Sequence, residues 1–381
     1  VNSFLTWMLL LPLLMIIPLG LVGYVAFEVI SNFLSETNTI IKDYVWLIYV
    51  AAIAFSYFEV FYSWTKVHMN SVFGNFMKEV FHRAGVMILL FCLYFQVIAI
   101  ETFVYAVVGV YILRMLTMKF YAFYVRRPIF RFGKLPNLKA VLKYSALIII
   151  AGSVANIILE IDKFMIGQYI EIEKVAYYGV AIYIATVIGV PARSMHQITN
   201  PLTAKLLNEG ENNKLKVLYK KSSLNLFIIS GFIFLIIILN INQLYLLIDD
   251  KYTGGLVVVL LISVAKLSDN IIGNNNAILF NSDYYRVVLA LGVLLAIMTV
   301  VFNALLIPEY GINGAAFATF MSVIVYNFAK VAFVYYKFKM APFCANTLKT
   351  LALIILLTGV FYFWEFPFHA IINIGLKSIL I

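Results

Sequence analysis

The sequence predicts an all-α, polytopic bundle of membrane-spanning helices, and three observations carry that prediction. Sixty-four per cent of the 381 residues are apolar and 12% are charged, against a charged fraction of about 25% in ordinary soluble domains. Apolar runs of about 20 residues, the length that crosses a bilayer, recur from one end of the chain to the other. Between them the loops alternate between basic and acidic, as they do when short loops rich in Lys and Arg stay on the cytoplasmic side.

The first four runs lie near residues 4–27, 44–64, 84–100 and 102–124. They stop at residues 125–143, VRRPIFRFGKLPNLKAVLK, which hold Arg126, Arg127, Arg131, Lys134, Lys139 and Lys143 without one acidic residue. Pro128, Gly133 and Pro136 oppose a continuous helix there, so residues 125–140 read as a basic cytoplasmic linker that orients the helices on both sides of it. Further runs follow near 141–160, 174–194, 223–247, 254–280, 285–307, 314–337 and 347–364, with a partial one from 367, which makes eleven spans and a stub. The chain opens at Val1 and stops at Ile381 inside an apolar run, without the charged start and cleavage site of a signal peptide. The expectation is a fragment lacking its beginning.

Loop charge tests this layout. With the linker inside, the other inside loops hold Lys66, Lys78 and Arg83, then Arg193, Lys205, Lys214, Lys216, Lys220 and Lys221, then Lys337, Lys339 and Lys349. The outside loops hold Glu28, Glu36, Asp43, Glu101, Glu160, Asp162, Glu171, Glu173, Asp249, Asp250 and Glu309, against Lys42, Lys163, Lys174 and Lys251. The net charge of +10 therefore needs no nucleic acid as partner, because basic inside loops face anionic membrane lipid. One inside loop is longer: residues 201–223, PLTAKLLNEGENNKLKVLYKKSS, mix leucines with lysines and suit either a short amphipathic pair in the headgroup plane or a solvated loop. Cys92 and Cys344 sit in apolar surroundings, and His68, His82, His196 and His369 are scattered, so neither a disulfide nor a metal site is expected, and no cofactor.

Charges inside spans are costly and tend to face a protein interior or a wet cavity. Arg114, Lys266, Asp269 and Lys330 fall near the middle of their runs, while Glu59 and Lys119 lie nearer the cytoplasmic side. Ser263, Lys266, Asn270, Gly273 and Asn274 recur at helical spacing as one polar stripe, and Ser153, Asn156, Glu160 and Lys163 as another. Two readings stay open: hydrated walls, or a structural ion pair of Lys266 with Asp269 and an interfacial cap or pair at Asp162 and Lys163. The central cations outnumber Asp269, which favours an anion such as phosphate.

Three segments resemble the oligosaccharide flippases, or polysaccharide-export transporters, of the multidrug/oligosaccharidyl-lipid/polysaccharide superfamily. They are NIILEIDKFMIGQYI at 156–170, the stretch from VAYYGVAIYIATVIGVPARS through NPLTAKLLNEGENNKL, and NALLIPEYGINGAAFATFMS at 303–322. The resemblance implies two pseudo-symmetric six-helix lobes around a central V-shaped cavity. Residues 1–124 would be the remnant of the first lobe, lacking two helices, residues 141–338 the second lobe, and residues 347–381 extra helices. It implies a transporter and not an enzyme: a monomer that flips a polyprenyl-pyrophosphate-linked oligosaccharide across the bacterial inner membrane for O-antigen, capsule or exopolysaccharide assembly, with H⁺ or Na⁺ as a possible coupling ion. On that reading Arg114, Lys266 and Lys330 hold the pyrophosphate. Asp269, Asn270 and Asn156 line the cavity, with Asp269 and Asn270 balancing charge and meeting sugar, and Asp162 with Lys163 forms a structural or coupling motif. The alternatives are a cation-coupled multidrug antiporter of the same superfamily and a membrane glycan polymerase or ligase, the latter disfavoured by short outside loops that lack His.

Overall fold

A computed structural model of the chain describes residues 2–380 apart from 69, 71, 134–137 and 249, and the side chains at 2, 4, 5, 140, 143, 144, 147, 148, 150–159 and 250 lie outside that description. Every described regular element is a helix, as a bilayer demands of a chain that must satisfy its backbone internally. The chain divides into two compact units, Val1–Tyr144 and Ser145–Ile381.

The first unit contains α1 (Asn2–Val25), α2 (Phe27–Ser35), α3 (Val45–Val67), α4 (Val72–Phe76), α5 (His82–Tyr94) and α6 (Ile100–Val125). A π turn, Met77–Phe81, joins α4 to α5. Its core is aromatic: Phe58, Phe61, Tyr62 and Trp64 of α3 pack with Met118 and Ala122 of α6 and with Met77. Outward, α1 bares Leu11, Leu14, Ile17, Leu19 and Val22, the apolar surface a lipid-facing helix presents. Residues 126–133 are not helical, and their backbone is pinned to this unit. Trp64 Nε1 donates to the Arg126 carbonyl at 3.2 Å, and Thr6 Oγ1 accepts from the Arg131 amide at 3.0 Å. Lys134 and Pro136 of the basic stretch lie outside the described residues.

The span expected at 84–100 begins twelve residues earlier, at Val72, and ends at Tyr94. Lys78 and Arg83, expected in an inside loop, stand within this helical stretch, where Lys78 pairs with Glu59 at 2.7 Å and Arg83 with Glu79 at 3.3 Å.

The second unit takes in most of α7 (Leu138–Tyr169), then α8 (Glu173–Thr186), α9 (Val190–Asn208), α10 (Asn212–Tyr245), α11 (Leu256–Ile271), α12 (Asn275–Phe280), α13 (Tyr285–Phe338), α14 (Ala345–Phe361) and α15 (Ala370–Leu380). Its main core joins Ile166, Tyr178, Ala185, Ile188, Phe227, Ile238, Val259, Ile262 and Ile307. A 3₁₀ turn, Val187–Gly189, leads from α8 into α9, and Pro191 stands in the first turn of α9, where its missing N–H costs nothing. The expected amphipathic pair at 201–223 is corrected. The helices continue through it to a sharp turn at Gly210, whose φ is +70°. Leu215 and Tyr219 are fully buried against Ile278, Leu279, Val288 and Val334, with Leu206 and Leu207 packed beside them. Those leucines face protein, so this is an extension of α9 and α10 packed on the unit's own core.

Two more boundaries differ. The run 254–280 is broken at Gly273, with φ +56°, where a Cβ would stand 2.7 Å from the Ser223 amide nitrogen; only glycine permits both that conformation and that approach. In α13, 54 residues are interrupted at Gly311, which has non-helical backbone angles. Unbroken, such a helix would be about 80 Å long, well over twice the roughly 30 Å of a hydrocarbon core. Instead the chain turns back. Gly314 lies against the carbonyl of Leu306, 2.2 Å from where a Cβ would be, so residues eight apart touch. Seven helices among the described residues are long and apolar enough to cross a membrane. The count falls below eleven because α13 holds two spans, because most side chains at 147–159 in α7 lie outside the description, because the Val72–Tyr94 stretch with Lys78, Glu79 and Arg83 is not among the seven, and because α14 is short.

The glycine contact is directly testable. Gly314→Ala drives a methyl group into backbone that cannot rotate away, so it should lower stability in detergent by about 1–3 kcal/mol. Gly359→Ala, in α14 with nothing within 4 Å, should leave stability unchanged or raise it by a few tenths, up to about 1 kcal/mol. Equal melting temperatures for the two variants would refute the hairpin contact.

The C-terminal helices dock on α10 through polar seams. Lys377, 2% exposed, donates to the Leu239 carbonyl at 3.1 Å, and Asn240 donates to Ser378 Oγ at 3.2 Å. Cys344 caps α14, its amide bonded to Thr347 Oγ1 at 3.2 Å, and the Thr347 side-chain hydrogen bond holds the thiol below the usual cysteine range. Because this cap belongs to the basic loop containing Lys337, Lys339 and Lys349, a membrane-impermeant maleimide should label Cys344 only after cells are permeabilised. Labelling of intact cells at Cys344 would invert the orientation set by loop charge.

Candidate functional site

Two polar centres lie within the second unit. At the first, the Asp162 carboxylate of α7 is 3% exposed and accepts three hydrogen bonds. Asn303 Nδ2 donates to Oδ1 at 2.7 Å; Tyr178 Oη and Thr319 Oγ1 donate to Oδ2 at 2.7 and 2.5 Å. Asn303 and Thr319 are sixteen residues apart, about 24 Å along a straight helix, yet they reach one carboxylate. Asp162 therefore clasps the two arms of the α13 hairpin and ties them to α7 and α8. Asn303 Oδ1, also buried, has no partner, which leaves a second oxygen acceptor beside the carboxylate. The pairing of Asp162 with Lys163 is not formed: Lys163 turns outward and pairs with Glu160 at 2.9 Å.

The second centre surrounds Lys330 on the far arm of α13. This lysine is 2% exposed. Its ammonium lies 4.1 Å from the Tyr326 ring and donates to Asn276 Oδ1 at 3.3 Å. Asp269 and His196 are in electrostatic reach, but among the described residues no carboxylate pairs with it directly. Asp269 instead accepts from Asn327 Nδ2 at 2.7 Å. Tyr326 also borders a small apolar depression of about 10 Å³ between the α13 arms, lined by Leu291, Leu294, Leu295, Met298, Val325 and Ala329.

The α11 stripe divides. Ser263, Asn270 and Asn274 are buried inside the unit, so this part is not a hydrated wall. Asn270 Nδ2 bonds the Ile188 carbonyl at 2.9 Å and Ser230 Oγ at 2.7 Å, and Asn274 joins Thr203 and Ser222 at 2.7 and 2.9 Å. The Asn270 amide is thereby committed to packing, because a buried amide holding two protein acceptors has no donor free for sugar. Lys266, half-buried at the stripe's edge, forms no ion pair with Asp269 among the described residues. Arg114 belongs to the first unit, where it is 3% exposed with its guanidinium 4.0 Å from the Phe58 ring. The side chain of Asn156 lies outside the described residues. Among the described residues no three His, Cys, Asp or Glu converge as a metal centre.

Tyr178, Asn303, Thr319, Asn276, Asn327 and Tyr326 were not singled out from sequence. Charge draws attention inside a membrane, and neutral amides and hydroxyls do not, since isolated ones are common in spanning helices. A signal did exist for three of them: Asp162, Tyr178, and the pair Asn303 and Thr319 each come from a different one of the three family-like segments.

Comparison with known proteins covers part of this centre. Residues 148–253, which include Asp162 and Tyr178, match the family model MatE. That stretch is similar to the MatE domain, a family of the multidrug/oligosaccharidyl-lipid/polysaccharide superfamily. Among solved structures, the fold matches that of the lipid II flippase MurJ in its inward closed conformation, with a TM-score of 0.76 over 100% of this chain and 82% of that one, at 13% sequence identity. No curated protein matches the chain in sequence. The MatE domain spans α7 to α10, so it holds two of the four groups at the Asp162 centre, while Asn303 and Thr319 come from α13, beyond it. Both MatE and the flippase fold are architectures of transporters, and this chain is a multi-pass membrane protein with that architecture.

Proposed function

We propose that this protein moves a lipid-linked oligosaccharide, carried on polyprenyl pyrophosphate, from the cytoplasmic to the outer leaflet of a bacterial inner membrane, serving O-antigen, capsule or exopolysaccharide assembly. The observation that carries this reading is Lys330: a buried ammonium, held by an amide and an aromatic face and without a contacting carboxylate among the described residues, is a cation kept for an external anion. Phosphate oxygens supply that charge, and charge-assisted hydrogen bonds to them strengthen in a low-dielectric setting. Asp162 serves the energy input. A buried carboxylate flanked by a free amide oxygen and two hydroxyls suits H⁺ or Na⁺, and occupancy there would alter how tightly the α13 arms are clasped to α7 and α8.

That same carboxylate favours the rival reading, a cation-coupled multidrug antiporter. Proteoliposomes containing the full chain and a labelled prenyl-pyrophosphate glycan separate the two. Glycan should appear in the opposite leaflet with the protein and not without it. Absence of flipping, together with raised drug tolerance in cells that express the protein, would replace the flippase reading with the antiporter.

A further inference from the structure

Six of the eight residues from Phe361 to Phe368, FYFWEFPF, are aromatic, in a chain where 16% are, and they stand at the turn between α14 and α15. Phe361 and Tyr362 rest on the main core of the second unit, but Phe363 is 85% exposed, Phe368 56% and Trp364 52%. Hydrogen bonds and ring stacking hold this turn in shape. Asn373 Nδ2 donates to the Phe366 carbonyl at 3.0 Å, the Ile371 amide donates to His369 Nδ1 at 3.4 Å, and Phe361 stacks on Trp364 with ring centroids 5.7 Å apart. Lys377 and Asn240 then hold α15 to α10.

Helix length sets the depth of these rings. α14 has 17 residues and α15 has 11, about 25 and 17 Å of helix, against a hydrocarbon core of roughly 30 Å. The outer side of α14 bares Leu348, Ile355, Leu356 and Val360, and α15 bares Ile371 and Ile372, as lipid-facing helices do. With the Cys344 end of α14 at one bilayer surface, the turn arrives at the other without clearing it. The rings therefore stand where acyl chains meet headgroups. Trp and Tyr are enriched at that level because each joins an apolar body to a polar edge, and Phe fits just beneath them. A platform for sugar would need open ring faces beside several hydrogen-bonding side chains. Here Glu365 is the sole charged residue from 361 to 368, and His369 Nδ1 is engaged by backbone.

We propose that residues 361–368 are an aromatic anchor, inserted into the lipid interface at the bilayer surface opposite Cys344. The anchor continues the apolar surface that α14 and α15 present to the bilayer, so its partner is lipid. Because α14 falls about 5 Å short of a full crossing, the anchor draws the neighbouring leaflet inward instead of leaving its rings in water, a deformation that costs little per ångström. None of this depends on which cargo the protein moves.

The test uses the full chain in phosphatidylcholine liposomes and isolates the emission of Trp364 as the difference between wild type and Trp364→Phe, with melting temperature confirming that both fold. Lipid brominated high on its chains, at carbons 6 and 7, should quench that component more than lipid brominated at carbons 11 and 12, and aqueous iodide should leave it largely intact. Phe368→Trp in the Trp364→Phe background puts a second reporter on the turn and should repeat this pattern. Phe363→Asp combined with Phe368→Asp should surrender Trp364 to iodide, because carboxylates are costly among acyl chains. Quenching of Trp364 by iodide and by neither brominated lipid overturns the anchor and leaves the turn to a glycan or a protein partner. Strongest quenching at carbons 11 and 12 also overturns it, since the rings would then lie at the bilayer centre. So does lipid quenching unchanged in the double variant, which would mean that Asn373 and the core alone fix the depth of the turn.

Discussion

Replacing Asp162 with Ala should both unfold the second unit more easily and stop transport. The substitution strands three donors, Tyr178 Oη, Asn303 Nδ2 and Thr319 Oγ1, in a site that water reaches poorly. Each buried donor left without a partner costs about 1–3 kcal/mol, so melting in detergent should fall by more than any single surface change produces. Asp162→Asn separates the two roles. An amide keeps one oxygen acceptor for the clasp but removes the negative charge a coupling cation needs. Its melting temperature should lie between wild type and the alanine variant, while flipping in proteoliposomes loses its dependence on an imposed H⁺ or Na⁺ gradient. Gradient-dependent flipping by the asparagine variant would mean that Asp162 is structural only.

At Lys330 the expected signs are opposite, which makes it the sharper test. An ammonium buried to 2% exposure without a paired carboxylate is a cost to the folded state, and replacing buried charge with an apolar side chain of similar volume is commonly neutral or stabilising by about 1–4 kcal/mol. Lys330→Met should therefore melt at or above the wild-type temperature. Its transport should fall about 10- to 100-fold, because a hydrogen bond to a charged group contributes about 1.5–3 kcal/mol. Lys330→Arg keeps the charge in a wider, planar group and should recover part of the activity. A stable Lys330→Met variant with wild-type flipping would remove this lysine from the cargo site.

The membrane class, the helical architecture and the superfamily were legible in residues alone, because a bilayer imposes a strong and local filter: long apolar runs, and loops sorted by Lys and Arg. Helix ends were less legible. The span at Val72–Tyr94 differs from the expected 84–100 because Lys78 and Arg83 suit a loop until Glu59 and Glu79 are seen to neutralise them. The amphipathic look of residues 201–223 suits either a pair of helices at the headgroups or a solvated loop, whereas Leu215 and Tyr219 meet Ile278 and Val334. Hydrophobic spacing along one helix marks a face to be covered; it does not say whether lipid or another helix covers it.

Charge patterning and three short motifs, then, were enough to place this chain in a membrane and in a transporter superfamily, since both follow from rules that act on each segment separately. Which polar groups meet was settled only in three dimensions. Asn303 and Thr319 share Asp162 because Gly311 and Gly314 fold α13 back on itself, and Lys330 reaches Asn276 because Gly273 breaks the helix before it. Those contacts join residues tens to more than a hundred positions apart, and their reach depends on a few glycine conformations that leave almost no trace in composition or periodicity.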